Sequence, residues 1–170
     1  MSIIVLVGFP GCGKTTAGRK IANALGYKFL DLDQEFEIHY HISISEFLRK
    51  YGEENFRKCE NNLLKIALAF DNIVLSTGGG TPCYFNAMEE INKNSISVYI
   101  KMTCQSLHNR LINSKKERPI TDGKDSTELM EYIENTLDIR EKIYKKALIT
   151  VKGESLNISN LVNTIINCSN

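Results

Sequence analysis

The chain is short of several things that would have named a partner or a compartment. Across 170 residues, 21 Lys and Arg stand against 20 Asp and Glu. A net charge of +1 gives no reason to expect nucleic acid or an anionic membrane surface as partner. No basic region precedes the hydrophobic stretch of MSIIVLVGFPG, and that stretch is far too short to cross a bilayer. It reads as a buried strand. The five cysteines, Cys12, Cys59, Cys83, Cys104 and Cys168, are odd in number and widely spaced, with no CxxC pair. A disulfide framework or a zinc site is therefore not expected, and free thiols in a reducing cytoplasm are the simplest reading. His39 and His41 have no further ligands nearby in sequence and are expected to be surface residues. Nothing about function follows from the absence of tryptophan.

What is present is one domain's worth of chain, 42% apolar and 24% charged, as in a soluble globular protein. Apolar runs alternate with helical patterns. Strands are predicted at Ile3–Val7, Tyr27–Leu30, Ile73–Ser76, Ser97–Lys101 and Leu148–Val151. Helices are predicted at Lys14–Leu25 (closed by Gly26), around Ile44–Tyr51 and Glu53–Phe70, and at Gln105–Ile112, Leu129–Lys146 and Ile158–Ile166. This alternation predicts an α/β fold: a five-stranded parallel sheet in three layers, α/β/α. Asn113–Ser126, NSKKERPITDGKDS, interrupts two helices with polar residues, Pro and Gly. A loop of that length in a compact domain is either disordered or functional, and a lid over a site is the sharper expectation.

The most specific signal is GFPGCGKTT. Gly8, Gly13, Lys14 and Thr15 meet the spacing G-x-x-x-x-G-K-[ST], between a predicted strand and a predicted helix. Glycines there let backbone N–H groups turn inward around phosphate oxygens, and the helix start adds its positive dipole end. Gly11, Cys12, Gly13, Lys14, Thr15 and Thr16 are accordingly the expected nucleotide-binding residues, with Lys14 reaching the β- and γ-phosphates and Thr15 ligating Mg²⁺. The loop does not say where the terminal phosphate goes.

Asp31 and Asp33, two apart at the end of a predicted strand, are expected on one side of it, with Leu32 turned away. Beyond the carboxyl end of a parallel sheet both would face a site, one towards Mg²⁺ and the other towards an attacking hydroxyl. A solvated strand end capping the next helix would use the same acids. In YGEENFRKCE, Glu53, Arg57 and Glu60 share a helical face, as part of a site or as a surface ion-pair ladder. Gly78-Gly79-Gly80 follows the third strand, as a surface for a ligand or as a plain tight turn. Arg118-Pro119 falls in the lid segment, where the arginine could stabilise phosphoryl charge or serve solubility.

Together these pieces resemble the shikimate kinase family. GFPGCGKTT, Asp31-Leu32-Asp33, SISEFLRKYGEENFRKCE, VLSTGGGTP, Arg118-Pro119, and Arg140, Tyr144 and Ala147 in R-x-x-x-Y-x-x-A follow the family's order over nearly the whole chain. The resemblance implies a single domain over 1–170, a P-loop NTPase of the nucleoside monophosphate kinase type, with a substrate-binding helical segment about 34–62 and a lid about 113–127. It implies transfer of the ATP γ-phosphoryl group to the 3-hydroxyl of shikimate, with Mg²⁺. Asp33 is then the candidate base, Asp31 and Thr15 the metal residues, and Arg57 and Arg140 the clamp on the shikimate carboxylate. Gly78, Gly79 and Gly80 would lie against the substrate ring, and Glu60 would orient Arg57. Lys14 and Arg118 would stabilise phosphoryl charge, and Arg110 would lie near the adenine. His41, where the family usually has Gly, and Leu48, where many members have Phe, depart from the pattern. A gluconate- or nucleoside monophosphate-type kinase and a nucleotide-binding regulatory module are the rivals. The intact Lys14, Asp33 and Arg118 speak against the last. A cytoplasmic monomer, without nucleic acid or membrane as partner, is expected.

Overall fold

The structure, a computed structural model, describes residues 3–114 and 123–168. Its strands are β1 (Ile3–Val7), β2 (Lys28–Asp31), β3 (Ile73–Ser76), β4 (Ile96–Lys101) and β5 (Ile149–Lys152). Its helices are α1 (Lys14–Leu25), α2 (Leu32–Tyr40), α3 (Ile44–Ala67), α4 (Ala87–Asn94), α5 (Cys104–Ile112), α6 (Ser126–Tyr144) and α7 (Ile158–Cys168). No helix among the described residues is long and apolar enough to cross a membrane.

All the strands pair in parallel, in the order β2-β3-β1-β4-β5. Successive side chains of a strand point to opposite faces, yet every residue of β1 and of β3 is buried. Both faces of the sheet are therefore covered, and β1 reads as an uninterrupted apolar run for that reason. Each fully buried Val, Leu or Ile contributes about 1.5–3 kcal/mol, so the centre of the sheet is the most heavily stabilised part of the fold.

This order fixes where a ligand can bind. The chain leaves β1 for β2 on one side, and leaves β3 for β4 on the other, so the crossovers diverge between β1 and β3. A crevice opens beyond the carboxyl ends at such a point. It is flanked by the loops after β1 and β3, which are GFPGCGKTT and the run of three glycines. Thr77 stitches them together, its N–H and its hydroxyl both donating to the Leu6 carbonyl at 3.2 and 3.0 Å.

Several expectations need correction. Asp33 is not on a strand: β2 stops at Asp31, and Asp33 lies in the first turn of α2, so period-2 alternation does not relate the two acids. Helices α2 and α4 are not predicted by the apolar pattern, although α2 falls largely within the helical segment about 34–62 that the resemblance implies. In α2 the apolar positions buried are only Leu32 and Phe36, too few for a clear stripe. The two helical patterns on either side of Gly52 form one element, α3, kinked where Gly52 takes φ 79°, ψ 167°. Helix α3 ends at Ala67 rather than Phe70, and α6 runs from Ser126 to Tyr144, three residues ahead of the expected start. An Asp125 cap with a reciprocal Glu128 bond explains that earlier start. Gly26 closes α1 as expected, in the left-handed conformation with its N–H bonded to Ala22 and Asn23 carbonyls.

Candidate active site

The phosphate cradle is built almost wholly from backbone. Gly8 and Gly13 adopt φ of 147° and 99°, a region side chains rarely occupy. Gly8 also has no room for one: a Cβ there would stand 2.8 Å from the Ile100 carbonyl. Helix α1 starts at Lys14 with no acidic residue in its own first turn, and its positive end faces the crevice. A cleft of about 370 Å³ opens there, with Gly11, Gly13, Lys14, Thr15, Thr16, Asp31, Asp33, Gly79 and Arg110 on its wall.

Lys14 is buried and its Nζ donates to the Gly8 and Phe9 carbonyls at 2.8 and 3.1 Å. The buried Cys12 presents its Sγ 3.8 Å from the same Nζ, and its N–H donates within the loop to Phe9. Arg110, from α5, donates to the Cys12 carbonyl at 3.3 Å and so stands at the cradle's rim. Thr15 Oγ1 donates to Asp31 Oδ2 at 2.8 Å, while Asp31 Oδ1 caps α2 by accepting from the Asp33 N–H at 3.2 Å. Asp31 thus does both things its sequence position allowed: it caps a helix and faces the site. A threonine hydroxyl and a carboxylate side by side are hard oxygen donors, the set that suits Mg²⁺ retaining part of its water shell.

The second group of residues is built from side chains on α3, α6 and the turn after β3. Arg57 bonds Glu60 Oε2 through Nη1 at 2.8 Å, and Glu53 Oε1 through Nε and Nη2 at 3.3 and 3.2 Å. Burial works against its charge, but Glu60, together with Tyr84 and Glu53, outweighs this and holds the guanidinium pKa up. Glu60 is itself buried and accepts from the Thr81 hydroxyl at 2.6 Å. The predicted Glu53–Arg57–Glu60 face is thus a real network, with one end buried. Burial also raises the Cys83 thiol pKa, while the charges of Arg140 and Arg57 pull it the other way. The charges of both arginines thus reach Cys83, although 83 residues separate them in sequence.

Glycines join the two groups. A Cβ on Gly78 would stand 2.8 Å from Asp33 Oδ1 and 3.0 Å from Glu60 Oε1, so the bare backbone at 78 lies between the cleft and the arginine network. A Cβ on Gly80 would stand 2.5 Å from Arg57 Nη2. The Gly79 carbonyl accepts from the Tyr144 hydroxyl at 2.5 Å. Burial keeps that phenol protonated by pushing its pKa well up, and Tyr144 lies one helical turn beyond Arg140 on α6.

Sequence reasoning gave Tyr144 no role and passed over Tyr84 and Thr81; the i, i+4 spacing of Arg140 and Tyr144 was the available signal for the first. His39 meets Tyr40 edge-on at 4.7 Å; of the two departures, His41 ends α2 in the left-handed conformation and Leu48 is partly buried against the core. Arg118 and Pro119 lie outside the described residues.

A family model described as shikimate kinase matches residues 10–170. A shikimate kinase of Parabacteroides distasonis is 38% identical over 167 residues, covering 98% of this chain and 96% of that one. A solved shikimate kinase of Bacteroides thetaiotaomicron superposes with a TM-score of 0.92 at 34% identity, over 99% and 98% of the two chains. One from Acinetobacter baumannii, solved in complex with shikimate, gives 0.87 at 29% identity, over 99% and 93%. With a P-loop at the β1 terminus, an arginine network beyond β3 and likeness over its full length, this chain belongs to the shikimate kinase family.

Proposed function

We propose that this chain transfers the γ-phosphoryl group of ATP to the 3-hydroxyl of shikimate, giving shikimate 3-phosphate and ADP. The observation that carries the reading is the seam at Gly78, where Asp33 on the phosphate side and Glu60 on the arginine side approach one backbone position. A phosphoryl acceptor held by the arginines through its carboxylate has its hydroxyl directed towards Asp33 and the cradle.

The roles follow from chemistry. Arg57 and Arg140 bind the carboxylate, for which a planar guanidinium fork is the matched partner. Asp33 hydrogen-bonds the accepting hydroxyl and takes its proton as the bond to phosphorus forms. Lys14 leaves loop carbonyls for phosphate oxygens and stabilises the charge of the transferring group. Gly11, Cys12, Gly13 and Thr16 belong to the loop and helix start that seat the phosphates, and Arg110 borders them. Gly79 and Gly80 give the acceptor ring a flat backbone to lie on. Thr15 and Asp31 would hold Mg²⁺, which would supply positive charge to offset that of the phosphates. The segment about 113–127 is assigned the part of a lid, and Arg118 a place at the phosphoryl group, on sequence position alone. The helical segment about 34–62 presents the acceptor side. The chain works as a single-domain cytoplasmic monomer, on small molecules and not on nucleic acid or membrane.

The test is ADP release from ATP and Mg²⁺ with shikimate, gluconate, AMP or no acceptor. Release dependent on shikimate alone is expected. Release with gluconate, also a carboxylate, would keep an arginine clamp but reject shikimate as the acceptor; release with AMP would reject the clamp, and nucleotide binding without release would point to a regulatory module.

A further inference from the structure

Tyr84 is an aromatic residue 37% exposed at the mouth of the arginine network, and it touches that network twice. Its ring lies over Arg57, with Cζ 4.5 Å from the ring centroid, and its hydroxyl donates to Glu53 Oε1 at 3.0 Å. Glu53 Oε1 is the same oxygen that binds Arg57 through Nε and Nη2. The three side chains form a closed triangle. Phe56 lies against Arg57 as well, with its ring centroid 4.9 Å from Cζ. Arg57 therefore has two aromatic contacts, one to a buried ring of α3 and one to the exposed Tyr84.

We infer that Tyr84 is a positioning residue for acceptor binding: it fixes Glu53 and the face of Arg57, so that the remaining guanidinium N–H groups are presented to the substrate carboxylate. This rests on the proposed reading of Arg57 as part of the carboxylate clamp. An arginine has five N–H donors, and Glu53 and Glu60 take three of them. Those left, one on each terminal nitrogen, can meet a carboxylate bidentately only if the guanidinium plane does not rotate. Glu60 is a firm anchor, because it is buried and bonded to Thr81. Glu53 is not firm by itself: its side chain is 59% exposed, and an exposed ion pair holds its geometry weakly. The phenol of Tyr84 supplies what that pair lacks. Burial and the bond to Glu53 raise the phenol pKa, so it stays protonated and remains a donor.

The backbone keeps Tyr84 over Arg57. It follows the short turn Thr81–Cys83, and its carbonyl accepts from the Ala87 N–H at 2.9 Å. Phe85 and Asn86 then take φ of 52° and 56°, so the chain reverses immediately after the tyrosine and leads into α4. Left-handed geometry at a phenylalanine is costly and marks a direction imposed on the chain.

The test is steady-state kinetics on Tyr84→Phe, Tyr84→Ala, Arg57→Ala and the double variant Arg57→Ala with Tyr84→Ala. Tyr84→Ala is expected to lower kcat/KM for shikimate about tenfold, through KM, with KM for ATP and kcat unchanged. Tyr84→Phe keeps the ring over Arg57, and its loss should be about two- to threefold. Adding Tyr84→Ala to Arg57→Ala should cost nothing further, because the tyrosine acts through the arginine. The same tenfold loss in both backgrounds would overturn the inference, as would a wild-type KM in Tyr84→Ala while Arg57→Ala is impaired. Equal losses in KM for ATP and in kcat would mark general damage to the fold and also overturn it. A wild-type KM in Arg57→Ala would reject the clamp itself, and this inference with it.

Discussion

The phosphate side and the acceptor side of this site are built on different plans. On the phosphate side the backbone cradle comes from one contiguous stretch, Gly8 to Thr16, edged by Asp31 and Arg110, and its left-handed positions are all glycine: Gly8, Gly11 and Gly13 at φ 147°, 89° and 99°. On the acceptor side the working groups are side chains from α3, the turn after β3, and α6, and left-handed backbone is carried by His41, Phe85 and Asn86 as well as Gly52. A backbone cradle tolerates almost no side chain, because phosphate must approach the amides closely. A side-chain network tolerates strain in the backbone as long as its charged groups are held by partners.

The sharpest way to separate the two sides is at Asp33, which stands between them. Asp33→Asn keeps size and hydrogen-bonding capacity but cannot take the proton. It should lower kcat by about 10²- to 10⁴-fold, the usual worth of general base catalysis, while nucleotide affinity stays at the wild-type level. Rapid-quench phosphoryl transfer and a nucleotide titration measure the two quantities. A near-normal rate removes Asp33 from the chemistry. Next in size is Arg57→Ala, expected to reduce kcat/KM for shikimate by about 100-fold, as for a lost charge-assisted bidentate contact, without moving KM for ATP. A parallel rise in KM for ATP would mean that the two sides are not separable in this way.

The different plans also explain what could be read from sequence. The cradle was legible because spacing alone defines it: strand, glycines, lysine, threonine, helix. The central strands were legible because burial on both faces leaves unbroken apolar runs. The arginine network was visible only in part. Glu53, Arg57 and Glu60 sit on one helix, so periodicity joined them, yet periodicity does not distinguish a buried network from a surface ladder; the burial of Glu60 against Thr81 decides that. Arg140 and Tyr84 could not be joined to it by any local pattern, because the sheet order brings them there. Asp33 does line the cleft, but from the first turn of α2 and not from a strand. The side chain that breaks the alternation is Asp31, whose capping bond to the Asp33 N–H turns strand into helix one residue after itself.

Two glycine substitutions sharpen the seam between the sides. Gly79 lies against the Pro10 ring of the cradle, where an added Cβ would have no space, while the atoms nearest a Cβ on Gly80 are those of the Arg57 guanidinium. Gly79→Ala should therefore raise KM for both ATP and shikimate. Gly80→Ala should raise KM for shikimate alone. Each effect should be about tenfold, in keeping with about 1–3 kcal/mol for overpacking. Equal effects of Gly80→Ala on both substrates would show that Arg57 transmits strain into the cradle.

The smallest expected effect tests the tolerance of the acceptor side for strained backbone. His41 ends α2 at φ 54°, ψ 36°, the conformation that costs a residue with a Cβ about 1–2 kcal/mol and glycine almost nothing. Its side chain is exposed, so little packing is lost when it is removed. Glycine also frees the unfolded chain, which takes back about 0.4–1 kcal/mol. The balance predicts that His41→Gly stabilises the fold by about 0.5 kcal/mol in urea unfolding, with kcat and both KM values unchanged. Stability equal to or below wild type would mean that the imidazole makes up for its backbone. A rise in KM for shikimate alone would mean that the turn between α2 and α3 is tuned to the acceptor, and that strain on this side of the site has a use.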